Sequence, residues 1–162
     1  MDYAAMIGLA AARSQVDIDS GPVLFGWQGE KITVTVLLRG GQAVQALVMA
    51  TMLAKLKGCG GVAFATVGPV SEDLTVRPLE DPAATECAIG HSYADGLPRA
   101  IWTIPLHRDD RGRVTAEEAQ IVDLAISPVI DIIELAWANP VGDVDLNSLW
   151  LQRNGCEVLV AS

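Results

Sequence analysis

The stretch QAVQALVMATMLAKL, residues 42–56, predicts the helix around which the rest of the chain is organised. It consists of good helix formers, and glycines stand on both sides of it, at Gly40, Gly41 and Gly58. Its polar residues do not fall on one face of a helix, so the helix is apolar nearly all round. We therefore expect it to pack on a sheet while another element, or a second subunit, covers its back.

One face of a sheet covers only one side of a helix, and the chain contains a second apolar helix that needs its own place on the sheet. We therefore predict that Met49, Met52 and Leu53 lie in a contact between subunits. Exposing the back of the helix would leave several hundred Å² of apolar surface in water, about the largest patch that monomers tolerate. Replacing Met49 and Met52 together with Glu should then give a soluble monomer.

Composition restricts the classes of protein to consider. With 162 residues, 51% hydrophobic and 19% charged, the chain is expected to form one domain, residues 1–162, with a buried core. The net charge of −9 disfavours nucleic acid as a partner, which requires Lys and Arg. No apolar run is long enough to cross a membrane, and no basic region precedes the first apolar stretch. We expect a soluble, cytoplasmic protein whose three cysteines are reduced and mostly buried.

Periodicity and turn residues predict an α+β fold, with a single antiparallel sheet of about five strands and flanking helices. The predicted elements are a helix at Asp2–Arg13, strands at Val23–Trp27 and Lys31–Leu38, the helix at Gln42–Leu56, and strands at Val62–Val67, Leu74–Pro78 and Arg99–Leu106. A second long helix should begin at the capping box Thr115–Glu118 and kink or break near Ser127, because Pro128 removes one backbone donor. Asn154 and Gly155 then predict a C-terminal hairpin of two strands, Asn147–Gln152 and Cys156–Val160. Glu80–Pro98 is the least regular segment.

The order α-β-β-α-β-β-β-α resembles that of profilin-like, roadblock/longin-like and GAF-type domains. Residues Pro98–Ala125, PRAIWTIPLHRDDRGRVTAEEAQIVDLA, are similar to the end of GAF domains, where a strand ending in Pro-Leu precedes a capped final helix. GAF domains have a further apolar strand between those two features, and this chain has only Arg108–Val114 there. The resemblance implies a sheet with flanking helices and a ligand pocket walled by the irregular segment Glu80–Pro98.

Few residues are candidates for chemistry. Cys87, His91 and Asp95 recur every four residues and would line one face of a helix, but they make an incomplete ligand set, so we expect neither a metal nor a cofactor. His107 lies close to Asp109, as in a general base held by a carboxylate, within a charged stretch that predicts an exposed turn. Trp102 is a candidate for the wall of a ligand pocket, since such pockets are mostly apolar.

Three hypotheses follow. The favoured one is a non-catalytic interaction or assembly subunit that acts as a homo-oligomer or as an accessory component of a complex. The second is a small-ligand binding, sensory domain with His91, Asp95, His107 and Trp102 as candidate binding residues. The third is an enzyme that uses the region of His91, Asp95 and His107.

Overall fold

The computed structural model describes residues 1–17, 21–71, 78–122 and 127–161. Within these residues the chain forms four α-helices and a large antiparallel sheet, which confirms the predicted α+β class. The helices are α1 (Tyr3–Asp17), α2 (Ala43–Lys57), α3 (Pro128–Ala138) and α4 (Val144–Arg153). The strands are β1 (Val23–Gln28), β2 (Lys31–Leu37), β3 (Gly61–Val70), β4 (Thr85–Ala94), β5 (Ala100–Arg108), β6 (Val114–Ala116), β7 (Gln120–Val122) and β8 (Glu157–Val160).

The sheet is larger than predicted. Its strand order is β6-β5-β4-β3-β1-β2-β8, and β7 pairs with β5 beside β6. The β1–β2 hairpin forms where the sequence predicts it, with Gly29 in the turn at a φ of 61°. β3, β4 and β5 then follow one another across the sheet as a meander. The strands that the sequence did not predict are β4 in the interior and β6 and β7 at one edge, whereas β8 forms the other edge by pairing with β2.

Helices cover both faces of the sheet. α1 packs across β3, β4 and β5 on one face, whereas α2 packs over β1 and β2 on the other, with α3 and α4 beside it. The alternation along β3 shows the two sides, because Val62 and Phe64 pack with α2 while Ala63 and Ala65 pack with α1. No helix in the described part of the chain is long and apolar enough to span a bilayer.

α2 forms as predicted, and its end is defined by Gly58. That residue takes a left-handed φ of 96°, and its N–H bonds to carbonyls of the last helical turn. Val34, Val36 and Leu38 are buried beneath α2, as the strand alternation predicts. Ile32, expected on the same face, is 47% exposed, because the register of the hairpin shifts between Gly26 and Trp27.

α1 comes close enough to β4 for the two backbones to touch. A Cβ atom at Gly90 would collide with the carbonyl oxygen of Gly8, so glycine is required where the helix crosses the strand. The Ser92 hydroxyl donates to the carbonyl of Ala4 at 2.6 Å. Trp102 donates from Nε1 to the carbonyl of Ala5 at 2.9 Å. Trp102, a candidate pocket residue from the sequence, is therefore a buried link between β5 and α1.

The predicted helix from Thr115 is wrong in its first half. Val114–Ala116 and Gln120–Val122 are short strands that pair with the free edge of β5. The helix α3 begins at Pro128, a residue that suits the first turn of a helix. Ser127 caps its N-terminus, because its side chain accepts a hydrogen bond from the N–H of Ile130. Residues 123–126 of the predicted helix lie outside the described residues. The GAF-like pattern of a helix that follows Pro-Leu closely is thus not found here.

The predicted C-terminal hairpin is also wrong, because its first half is helical. α4 begins after Asp143, whose side chain accepts from the N–H of Leu146 at 2.8 Å, and only β8 is a strand. Asn154 and Gly155 end this helix instead of turning a hairpin, with Gly155 at a φ of 90°. The spacing of Asn147 and Leu151, buried four residues apart, is the helical signal that the hairpin interpretation missed.

The segment Glu80–Pro98, expected to be irregular, contains the ten-residue strand β4 in the interior of the sheet. Its small and polar residues hide the alternation of apolar and polar residues that marks a strand. Every second residue nevertheless faces α1, at Ala88, Gly90 and Ser92. The strand predicted at Leu74–Pro78 lies outside the described residues except for Pro78, which starts a short 3₁₀ turn that ends at Glu80.

We expect Gly90→Ala to lower the free energy of unfolding by about 2 kcal/mol or more, since the added methyl group must push α1 away from β4. Gly68→Ala is the matched control, because a Cβ atom there meets nothing within 4 Å on the neighbouring strand β3. Urea unfolding followed by circular dichroism measures both. Equal losses in the two variants would contradict the close approach of α1 and β4.

Candidate functional site

The layer formed by α2, α3 and α4 exposes large apolar side chains to solvent. Val44 is 60% exposed, Leu135 70% and Leu146 60%. Leu149 is also exposed, and Val48, Met49 and Trp150 are partly buried. We call these seven residues the outer helical face. Apolar patches of this kind mark interaction surfaces more often than single exposed leucines do.

Local sequence accounts for the two flanking helices of this face. α3 buries Ile130, Ile133, Ala136 and Trp137, and the same helical repeat leaves Leu135 pointing outward. α4 buries Asn147 and Leu151, so Leu146 and Leu149 face solvent. Each helix therefore shows one apolar side to the core and keeps an apolar residue on the opposite side.

Two grooves run along α2 within this face. The groove between α2 and α3 has a volume of about 340 Å³ and is lined by Val44, Val48, Leu135 and neighbouring residues. The groove between α2 and α4 has a volume of about 410 Å³ and is lined by Val44, Val48, Met49 and Trp150, with Gln42 and Gln45 at its edge. Val44 and Val48 line both grooves, so they form a ridge between them.

Of the predicted interface residues, only Met49 lies on this face. Leu53 is fully buried in the core of one chain, and Met52 is 4% exposed and accepts a hydrogen bond from the N–H of Val141 at its sulfur. α3 and α4 therefore cover part of the back of α2 that the sequence assigned to a second subunit. Because Met52 is internal, a double substitution of Met49 and Met52 by Glu would place a charge in the core.

Asp95, a candidate binding residue, holds α2 and α3 against β4. The Trp137 indole donates from Nε1 to Oδ1 of Asp95 at 2.8 Å, and Lys55 donates to Oδ2 at 3.1 Å. The Lys55 ammonium also lies 4.7 Å from the centre of a Trp137 ring, within the range of a cation–π interaction. The hydrogen bond from Trp137, helped by Lys55, keeps the pKa of Asp95 below its usual value. This carboxylate is engaged in positioning helices.

A second ion-pair group ties α3 to the start of β5. Arg99 donates to both carboxylate oxygens of Glu134, at 2.8 and 3.2 Å from its two nitrogens, and to Asp131 at 2.9 Å. The hydrogen bond to Glu134 raises the pKa of Arg99 further above its usual value. The acidic residues of α3 thereby point toward β5 and leave Leu135 on the side toward α2.

His91 lies on the sheet face beneath the helices. Its ring packs against Phe64 at 6.0 Å between centroids, and its Nδ1 atom is buried with no hydrogen-bond partner among the described residues. Burial lowers the pKa of His91 from 6.5 to about 4, because a charged imidazole would lose its hydration there. At neutral pH the ring is therefore uncharged and acts as part of the apolar packing.

The remaining candidate residues do not converge with His91. His107 is exposed near the far end of β5, where it bonds to Glu117 at 2.9 Å, roughly 20 Å along the strand from Ile101, the partner of His91. Cys87 and His91 lie on β4, about 13 Å apart, and Asp95 follows the end of that strand, so the three residues do not share one face of a helix. The proposed enzyme region is thus spread over the sheet.

Among the described residues, no group of three or more His, Cys, Asp and Glu side chains is placed to hold a metal ion. All three cysteines are free and buried, as predicted, and burial raises the pKa of Cys59 and Cys87. Comparison with known proteins finds no matching family model, no similar curated protein and no similar solved structure.

We expect the pH dependence of stability to report the burial of His91. In the unfolded chain the imidazole binds a proton below about pH 6.5, whereas in the folded chain it stays neutral down to about pH 4. The free energy of unfolding should therefore fall as the pH drops from 6.5 toward 4, by about 3 kcal/mol at most. His91→Phe should remove that part of the slope in urea unfolding measured between pH 7 and 4.

His91→Gln is the matched control, since it also lacks the titrating group but keeps a polar side chain. It should flatten the slope like His91→Phe while giving a lower stability at pH 7, because a buried amide needs hydrogen-bond partners. A wild-type slope in both variants would show that His91 does not govern acid sensitivity.

Proposed function

We propose that this protein is a non-catalytic assembly subunit that self-associates through the outer helical face. The observation that carries the proposal is the exposure of Val44, Leu135 and Leu146 on one three-helix layer, with grooves on both sides of the α2 ridge. Burying such residues in a contact contributes a favourable free energy of about 25 cal/mol per Å² of apolar surface, from which the cost of association must be subtracted.

Charge favours a second copy of the same chain as the occupant. The protein carries a net charge of −9, so two copies repel each other over most of their surfaces. The exposed part of α2 is an exception, because residues 42–54 contain no charged side chain. Two copies can meet there without bringing like charges together at the centre of the contact, which is where interfaces are depleted of charge. A basic partner would gain more from the acidic surfaces elsewhere.

Shape and size agree with a contact related by twofold symmetry. A ridge formed by Val44 and Val48 between two grooves can fit a groove of an identical neighbour while receiving that neighbour's ridge in return. α2 is 15 residues long, or about 22 Å. The axes of neighbouring helices in the layer are about 8–10 Å apart, so the three helices span a width of about 16–20 Å between their outer axes. The footprint is then roughly 350–450 Å², about half of the roughly 800 Å² per partner of a standard interface, which corresponds to a weak contact.

Leu135→Glu should weaken self-association at least tenfold, about 1.4 kcal/mol, because it puts a charge beside the ridge of a second copy. Sedimentation equilibrium between 1 and 100 µM protein measures the effect, and circular dichroism checks that the variant is folded. Since Leu135 is 70% exposed, the substitution should leave the stability of the single chain nearly unchanged.

Leu159→Glu provides a closely matched control, because Leu159 is also 70% exposed but lies on the edge strand β8. It should associate like the wild type. A wild-type chain that is monomeric at 100 µM would overturn the proposal. So would a monomeric Leu159→Glu beside an associated Leu135→Glu, since that result would assign the contact to the edge of the sheet.

A further inference from the structure

A separate cavity opens at the end of α2, where the helix meets the sheet and α3. Its volume is about 210 Å³, and its surface is almost wholly apolar. Pro22, Ala43 and Val44 surround the mouth and are exposed to solvent. Small side chains at the mouth leave the interior open, whereas a larger residue at position 43 would close it.

The interior of the cavity is formed by core residues. Leu38 and Leu47 are buried and belong to the main core, and Phe64 of β3 packs against the same core. Val129 and Ile132 from the first turns of α3 complete the wall. Because the walls come from a strand, two helices and the end of β2, they are held by the fold and not by one flexible side chain.

The lining defines the chemistry of an occupant. Among the described residues, none with a charged or hydrogen-bonding side chain lines the cavity, so a charged or strongly polar group would lose its hydration against these walls without gaining a partner. Water gains little for the same reason, and apolar cavities of comparable size stay dry and accept small apolar molecules. The volume is below the range of about 300–1,000 Å³ typical of sites for drug-sized ligands, so the buried part of an occupant is small.

We propose that this cavity binds a small uncharged apolar molecule, such as an aromatic bicycle or a short aliphatic chain, with any polar group left at the mouth between Pro22 and Ala43. The site is different from the candidate binding residues named by the sequence, none of which lines it. Its walls belong to a single chain, and it shares only Val44, at its mouth, with the outer helical face.

Indole and 1-octanol serve as the aromatic and aliphatic probes in a titration followed by the methyl NMR signals of ¹³C-labelled protein. We expect saturable shifts at Leu38, Leu47 and Ile132, with a Kd on the order of 0.1–1 mM for a probe of about nine heavy atoms. The ring signals of His91 should move with them, because His91 packs against Phe64 in the cavity wall. A shift confined to Leu135 or Val48 would place the probe in the outer groove and overturn the proposal.

Ala43→Leu should fill the mouth and weaken binding at least tenfold. Ala10→Leu is the matched control, since Ala10 is also an exposed helical alanine but lies on α1, on the opposite side of the sheet. Retained binding in Ala43→Leu, or no saturable shift for either probe at millimolar concentration, would overturn the assignment. Repeating the titration with Leu135→Glu keeps this result distinct from the oligomeric state, because that variant leaves the cavity lining intact.

Discussion

The close approach of α1 to β4 is the constraint on which the rest of the structure depends. Gly8 and Gly90 let the two backbones touch, and Ser92 and Trp102 then donate hydrogen bonds to carbonyls in the first turn of the helix. α1 thereby covers β3, β4 and β5 on one face of the sheet with small side chains. α2, α3 and α4 lie on the other face, so that layer is three helices wide.

The width of that second layer explains why apolar residues remain on its surface. α2 buries Leu47 and Leu53 against the sheet, and α3 and α4 cover its flanks, so only the ridge of Val44 and Val48 faces outward. Asp95, Lys55 and Trp137 fix α2 and α3 to β4 at one end of the layer. Near the other end, where α2 begins, the described residues around Ala43, Phe64 and Ile132 are apolar, and the cavity lies there.

The candidate histidines show how the same fold separates groups that are close in sequence. The fifteen residues between His91 and His107 include the turn of the β4–β5 hairpin. Because a strand advances about 3.3 Å per residue, the two rings end far apart. His91 ends beneath Phe64 as a neutral packing residue, and His107 ends in an exposed pair with Glu117. His91 therefore contributes to the packing of the sheet, and the two histidines do not form a common site.

The sequence by itself determined the α+β class, the β1–β2 hairpin, α2, β5 and the burial of the cysteines, because periodicity and glycine positions act over a few residues. It failed at Thr115–Glu118, where the capping signal predicted a helix but the neighbouring residues pair with β5 as strands. It failed again at Asn154–Gly155, where the turn signal predicted a hairpin but the preceding residues form α4 with a buried face. It also placed Met52 and Leu53 at an interface, because it could not show that α3 and α4 would flank α2. Only the tertiary structure decided that Leu135 and Trp150 line grooves along Val44 and Val48, since α2 is distant in the chain from α3 and α4.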